Sequence, residues 1–478
     1  MSYILAIDCG TSSVRVLAFN EQSELVYAKQ RECPLNYPKQ DWVEQSPQKI
    51  WDDVQSCLDA MIDEIGFAAI HSIGITNQRE SCLIWHKETG EPLGPAINWQ
   101  CRRTAERCLA LTHMAPRIKD ITGLRLDPYF SASKFEWLIM NSPDAKQCIQ
   151  NNRLCLGTID TWLLYQLTQG NVYATDVTNA SRTMLYDINQ LCFDPMLCEL
   201  FNIPIDALPI VNNSADFFGY YTYRNKKIPI HAVIGDQQAA LYGQCQFGQI
   251  KNTYGTGLFM MANTGHNIVK TNDLISTIAI GIDGKVDYAI EGSVFTGGSL
   301  IQWLRDNLNI IQSAKDTEAI AQEVSDNGGV TIIPALTGLG APHWKPHAKG
   351  MITGLSRYTN KSHIVRAALE AIALQSNDII QLIKTECPDI RFSDLLVDGG
   401  ASNNNWLMQL QADLSQLIVN RPANIEATAL GAAKCAAHYD QFWDVLPTQT
   451  ITKFSPTTNQ DELLQQWDSV LRNSLSST

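Results

Sequence analysis

Asp8, Gly10, Thr11, Ser12, Ser13 and Arg15 stand in close succession near the start of the chain. That set suits phosphate: glycine leaves backbone N–H groups unhindered, hydroxyls add donors, and an arginine fork matches phosphate oxygens. A carboxylate ending a buried strand is costly unless it meets a cation, and Mg²⁺ takes carboxylate, water and phosphate oxygens together. Asp8 is therefore a candidate metal ligand. Alone, the pattern fits an ordinary hairpin with a hydroxyl-rich turn equally well. A second copy changes that: Thr253-Tyr254-Gly255-Thr256-Gly257-Leu258-Phe259 again places glycine and threonine between two apolar runs. Two such tips facing each other would hold a nucleotide between similar halves.

Three further groupings could do chemistry. Gly235-Asp236-Gln237-Gln238 follows an apolar run and puts a carboxylate at a strand end. Phosphoryl transfer to an alcohol needs a base within reach of the hydroxyl, and Asp can serve; Asp is equally common as a helix N-cap. Arg79, Glu80 and Trp99 offer the donors, acceptors and apolar wall that a polyol needs. Val397-Asp398-Gly399-Gly400-Ala401-Ser402-Asn403-Asn404 reads as strand, diglycine and helix start, suited to the adenosine side of a nucleotide site. His343 and His347 flank Trp344, but Pro342 and Pro346 argue for a loop without metal.

The elements that must position these groups follow from periodicity. Residues 3–7 and 14–19 read as hairpin strands, 48–64 as an amphipathic helix, and 70–76 as a short buried strand ending at Asn77-Gln78-Arg79-Glu80. Helices are expected over 131–141, 160–167 and 361–386, and from about Asn404 onward. Side chains at the carboxyl ends of strands in α/β sheets are where ligands bind. A boundary near 242–250 divides the chain into 1–242 and 243–478, a duplication of whole domains without short repeats. The tail beyond about 440 carries no chemistry.

Composition fits this picture. The chain has 478 residues, 45% apolar and 18% charged, enough for two domains. A net charge of −13 argues against a nucleic-acid surface. No basic-then-apolar leader opens the chain and no apolar run reaches the roughly 20 residues of a membrane span. The 13 scattered cysteines include no C-x-x-C pair, which fits a reducing compartment. A cytoplasmic, soluble protein is expected.

Beyond these readings, the chain resembles the FGGY carbohydrate kinases of the actin-like ATPase fold, the glycerol kinases in particular. The resemblance runs from Ile4 to about His438. It is carried by Gly74-Ile75-Thr76-Asn77-Gln78-Arg79-Glu80, Trp99-Gln100-Cys101-Arg102-Arg103-Thr104, Asp127-Pro128-Tyr129-Phe130 and Thr178-Asn179-Ala180-Ser181-Arg182-Thr183-Met184. Two stretches fit general family signatures: Tyr129 to Leu138, and Gly350 through Gly354-Leu355 and His363 to Glu370.

The resemblance implies an α/β fold of two duplicated actin-like, ribonuclease H-like domains, each with a central mixed sheet and the nucleotide between them. It implies ATP and Mg²⁺, with glycerol phosphorylated to glycerol 3-phosphate. Arg79, Glu80, Tyr129, Asp236 and Gln237 would bind glycerol hydroxyls, with Trp99 and Phe259 as walls and Asp236 as base. Thr11, Ser12, Ser13 and Arg15 would hold phosphates on one side; Thr256, Gly298, Gln302, Gly400 and Asn404 would hold the nucleotide on the other. Homodimers and homotetramers are frequent among relatives. Cys9 replaces a common Gln, and His343 a common Tyr. The segment 218–227 is short and lacks the Gly-rich insert through which many bacterial glycerol kinases bind a sugar-phosphate inhibitor. A kinase for xylulose or erythritol, a nucleotide-switched actin relative and a silent glycerol sensor are the alternatives.

Overall fold

The computed structural model describes residues 2–245, 247–345, 348–423, 426–443 and 451–476. His347 of the histidine pair lies outside them; His343 is half-buried, and its partial burial pushes the imidazole below the usual range.

The first sheet is built from β1 (Tyr3–Cys9), β2 (Ser13–Phe19), β3 (Leu25–Glu32), β4 (Ile70–Asn77), β5 (Tyr220–Tyr223) and β6 (Lys226–Gly235). Its order is β5-β6-β4-β1-β2-β3, with β1, β4 and β6 parallel and the β1–β2–β3 meander antiparallel. Every residue of β1 is buried, because both faces of the sheet are covered. Leu5 and Ile7 enter one core with Val54 and Leu58 of helix α1 (Pro47–Ile65), while Ile4 and Ala6 face the opposite side. Helix α1 starts where Ser46 accepts the Lys49 N–H and Pro47 removes an unneeded donor. Helix α2 (Asp236–Gln244) follows β6 directly.

The second sheet repeats that plan. It comprises β7 (Gln249–Tyr254), β8 (Leu258–Gly265), β9 (Ile275–Ile282), β10 (Lys285–Val294), β11 (Asp394–Asp398), β12 (Ile418–Pro422) and β13 (Ile451–Phe454). The order β9-β10-β8-β7-β11-β12-β13 again puts a hairpin on one side of the central strand and parallel strands on the other. Helices α3 (Gly298–Asp306), α4 (Lys361–Glu386) and α5 (Asn405–Ser415) accompany it, and α6 (Ala427–Asp440) follows β12 in sequence. The tail from 451 adds β13 as an edge strand, and its Trp467 indole donates to Asp378 at 2.9 Å.

Helix α6 crosses between the halves. Although it follows β12 in sequence, its alanines Ala429, Ala432, Ala433 and Ala436 pack with Ile4, Ala6, Phe19 and Ile234 of the first sheet. It also crosses α2 at very short range: a Cβ added at Gly431 would lie 1.8 Å from the Ala239 carbonyl oxygen. Only glycine permits that approach.

Candidate active site

Strands β1, β4 and β6 run parallel and end on one edge, so Asp8, the Gln78-Arg79-Glu80 segment and Asp236 emerge together. Asp236 opens α2, and the N-cap is Gly235 rather than the aspartate itself. Its Oδ1 accepts the Gln237 N–H at 2.6 Å and faces Arg79 Nε at 3.3 Å. Burial pushes the carboxyl up to about 7; Arg79 opposes this, and Glu80 and Asp8 add to it. An aspartate so held exchanges its proton near neutrality, as a general base must.

The Arg79 guanidinium is fully engaged. Nη1 donates to Gln238 Oε1 at 3.2 Å and to Glu291 Oε2 at 2.7 Å, and Nη2 donates to Glu291 Oε1 at 3.2 Å. Arg182 joins the cluster, with Nε on Glu80 Oε1 at 2.5 Å and Nη2 on Glu291 Oε1 at 3.1 Å. Burial raises Glu291, but Arg182 and Arg79 outweigh it and hold the carboxyl near about 2. Glu80 has φ +61, a left-handed backbone that strains a non-glycine residue and turns its buried side chain toward Arg182. Gly235 leaves room for the arginine: a Cβ there would meet Arg79 Cγ at 2.9 Å. The Gly235 N–H is itself held by Thr178 Oγ1 at 2.9 Å, and Thr178 by the buried N-cap Asp176.

Aromatic walls close the other side. The Trp99 ring meets Tyr129 edge-on at 5.7 Å and Phe259 at 5.9 Å. Burial, with Glu80 nearby, pushes the Tyr129 phenol far above its usual range, so it remains a donor. Trp99 Nε1 donates to Thr11 Oγ1 at 2.9 Å, which ties this wall to the first phosphate-loop candidate. Gln237 faces away from Arg79, its Oε1 accepting from Thr253 Oγ1 at 3.3 Å.

Each glycine–hydroxyl turn is closed by its own backbone, but over a different span: Gly10 N–H bonds Ser13 O three residues on, and Gly255 N–H bonds Gly257 O two residues on, both at 3.0 Å. Helix α3 starts against the second turn, Gly298 N–H on Gly255 O at 2.8 Å, with Gln302 exposed one turn later. The helical turn Gly400–Asn403 packs on β7, and Asn404 caps α5 through the Leu407 N–H. The Arg15 fork pairs with Asp8 on one side and with Glu426 Oε2 at 2.5 Å on the other. Among the described residues no group of three or more His, Cys, Asp or Glu side chains is arranged to hold a metal. A cation at Asp8 would therefore take phosphate and water oxygens as its remaining ligands, which suits Mg²⁺.

Of the seven acceptor candidates, Glu80 and Asp236 gather on Arg79 and Tyr129 and Phe259 on the Trp99 ring, whereas Gln237 bonds Thr253 instead. Gln238, Arg182 and Glu291 join them without having been singled out. Arg182 stands in a segment read only as a family match. Glu291 left one signal, a lone acid inside the apolar run Tyr288-Ala289-Ile290-Glu291-Gly292-Ser293-Val294. Twelve of the thirteen cysteines are buried or half-buried, only Cys192 is exposed, and none is disulfide-bonded. No helix among the described residues is long and apolar enough to cross a membrane.

Comparison with known proteins bears on this geometry. Residues 3–243 match the model of the N-terminal domain of the FGGY family of carbohydrate kinases, and residues 250–439 that of its C-terminal domain. The chain is 46% identical over 478 residues to a glycerol kinase of Fusobacterium nucleatum, covering 98% of this chain and 93% of that one. It is 48% identical over 452 residues to a glycerol kinase of Clostridium beijerinckii, covering 92% and 90%. The crystal structure of Plasmodium falciparum glycerol kinase with ADP superposes with a TM-score of 0.93 at 34% identity, covering 99% and 98%. A ligand-bound xylulose kinase from Lactobacillus acidophilus, 18% identical, shares the fold at a TM-score of 0.86 over 100% and 99% of the two chains.

Proposed function

The chain belongs to the FGGY family of carbohydrate kinases, and from that premise we propose that it transfers the γ-phosphoryl group of ATP to a primary hydroxyl of glycerol, giving sn-glycerol 3-phosphate. The observation that carries this reading is the Asp236–Arg79 pair, with its neutral-range carboxyl, in a site whose Trp99 wall bonds Thr11 of a phosphate-suited turn. Relatives named glycerol kinase at 44–48% identity support it.

Asp236 takes the hydroxyl proton as the new O–P bond forms and the bond to the ADP oxygen breaks. Arg79, Glu80, Tyr129 and Gln237 orient the triol, while Trp99 and Phe259 pack on its carbons. Thr11, Ser12, Ser13 and Arg15 hold phosphate oxygens from the first lobe. Thr256, Gly298, Gln302, Gly400 and Asn404 hold the nucleotide from the second. Asp8 would hold Mg²⁺, which supplies charge neutralisation on the phosphates. Lobes spanning 1–242 and 243–478 close to exclude water, so the phosphoryl group reaches the alcohol. The protein works in the cytoplasm as a homodimer or homotetramer.

ADP release measured with glycerol, xylulose, erythritol or no alcohol tests the reading. Glycerol-dependent release is expected; alcohol-independent release, or preference for the pentulose, would overturn it. Arg79→Leu should raise the glycerol KM by at least about tenfold, since buried hydroxyls lose a charged partner. An unchanged glycerol KM would remove Arg79 from the acceptor site.

The loop before Asp236 bears on regulation. Arg224 and Asn225 both have positive φ, closing a tight two-residue turn between β5 and β6. No glycine-rich insert separates these strands, so fructose 1,6-bisphosphate should leave the initial rate unchanged. A saturable fall in rate on titrating it would contradict this.

A further inference from the structure

Glu291 takes no part in the proton transfer above, yet it holds Arg79, the arginine that faces Asp236. It lies on β10 in the second lobe, fully buried, and its two oxygens accept three guanidinium hydrogen bonds from Arg79 and Arg182, with Ser293 Oγ at 3.3 Å as a fourth. Both arginines belong to the first lobe. Buried side by side, their like charges repel, and a carboxylate between them offsets that. Arg79 is shared unevenly: Glu291 takes its Nη pair at 2.7 and 3.2 Å, while Asp236 meets Nε at 3.3 Å and Glu80 lies at 3.9 Å.

We infer that Glu291 is a positioning residue for the acceptor site: from the second lobe it anchors Arg79 and Arg182, so that acceptor binding depends on the two lobes meeting. This rests on the kinase reading. With the carboxylate gone, the Arg79 charge is left to Asp236 and Glu80, and the guanidinium leaves its place beside the triol. The groups facing Asp236 are Arg79, Glu80, Asp8 and the Gln237 N–H. Removing one negative charge from this cluster frees Arg79 to favour the Asp236 carboxylate, so Asp236 deprotonates at lower pH.

The experiment compares full-length E291Q with the unaltered protein. In E291Q the glycerol KM should rise about 10- to 100-fold, the ATP KM should stay within about twofold, and the acid limb of kcat/KM for glycerol should move down by about one pH unit. A lowered melting temperature with glycerol KM and acid limb unchanged marks a purely structural role and overturns the inference. If E291Q does not fold, E291D decides. Its shorter arm keeps the charge but cannot span both arginines, so glycerol KM should rise with the acid limb in place; an unchanged KM overturns the inference. Absence of glycerol-dependent ADP formation in the unaltered protein would instead sink the kinase reading itself.

Discussion

Replacing Asp236 by asparagine is expected to lower kcat by about 10²- to 10⁴-fold while the fold survives. The amide matches the carboxylate in shape and still accepts the Gln237 N–H held at 2.6 Å. It cannot take a proton. Burial holds the native carboxyl near about 7, so the base is increasingly protonated as pH falls below that value. The unaltered protein should accordingly lose kcat/KM about tenfold per pH unit well below 7 and level off above it. In Asp236→Asn that limb should vanish together with most of the rate. Near-normal turnover, or a limb that persists in the variant, would exclude Asp236 as the base.

Gly431→Ala should have the largest effect on stability. The added methyl would meet the Ala239 carbonyl oxygen at 1.8 Å and its carbon at 2.4 Å, both backbone atoms that no rotamer change can move. Overpacking of this kind costs about 1–3 kcal/mol where side chains can yield, and a clash with backbone belongs at or above the top of that range. Thermal melting should show a midpoint lower by on the order of 5 °C. Activity should fall as well, because pushing α6 away from α2 displaces the helix whose first residue is Asp236. An unchanged midpoint would show that the α2–α6 crossing tolerates more space than its geometry allows.

Groups that depend on neighbours a few positions away were legible in the sequence. Asp8 through Arg15 forms a hairpin whose turn is closed locally by Gly10 and Ser13. The Gly235–Asp236 junction follows from an apolar run meeting a polar trio. Of the two readings open there, the structure excludes the N-cap: Gly235 caps α2 and Asp236 is its first residue. Successive helical side chains point about 100° apart, so Gln238 rather than Gln237 reaches Arg79, and Gln237 turns to Thr253. That distinction needs the axis of the helix, not its composition.

Local pattern by itself determined the two repeated turns and the strand-end carboxylates, because hydrogen-bonded turns and buried strands are specified by residues close together in the chain. The tertiary structure alone decided which charges meet. Arg15 finds Glu426 across 411 positions, Arg79 finds Glu291 across 212, and α6 crosses to the other lobe's sheet. Such pairs are selected by desolvation: a buried charge is stable only opposite a partner, and which partner is near depends on how the two sheets dock.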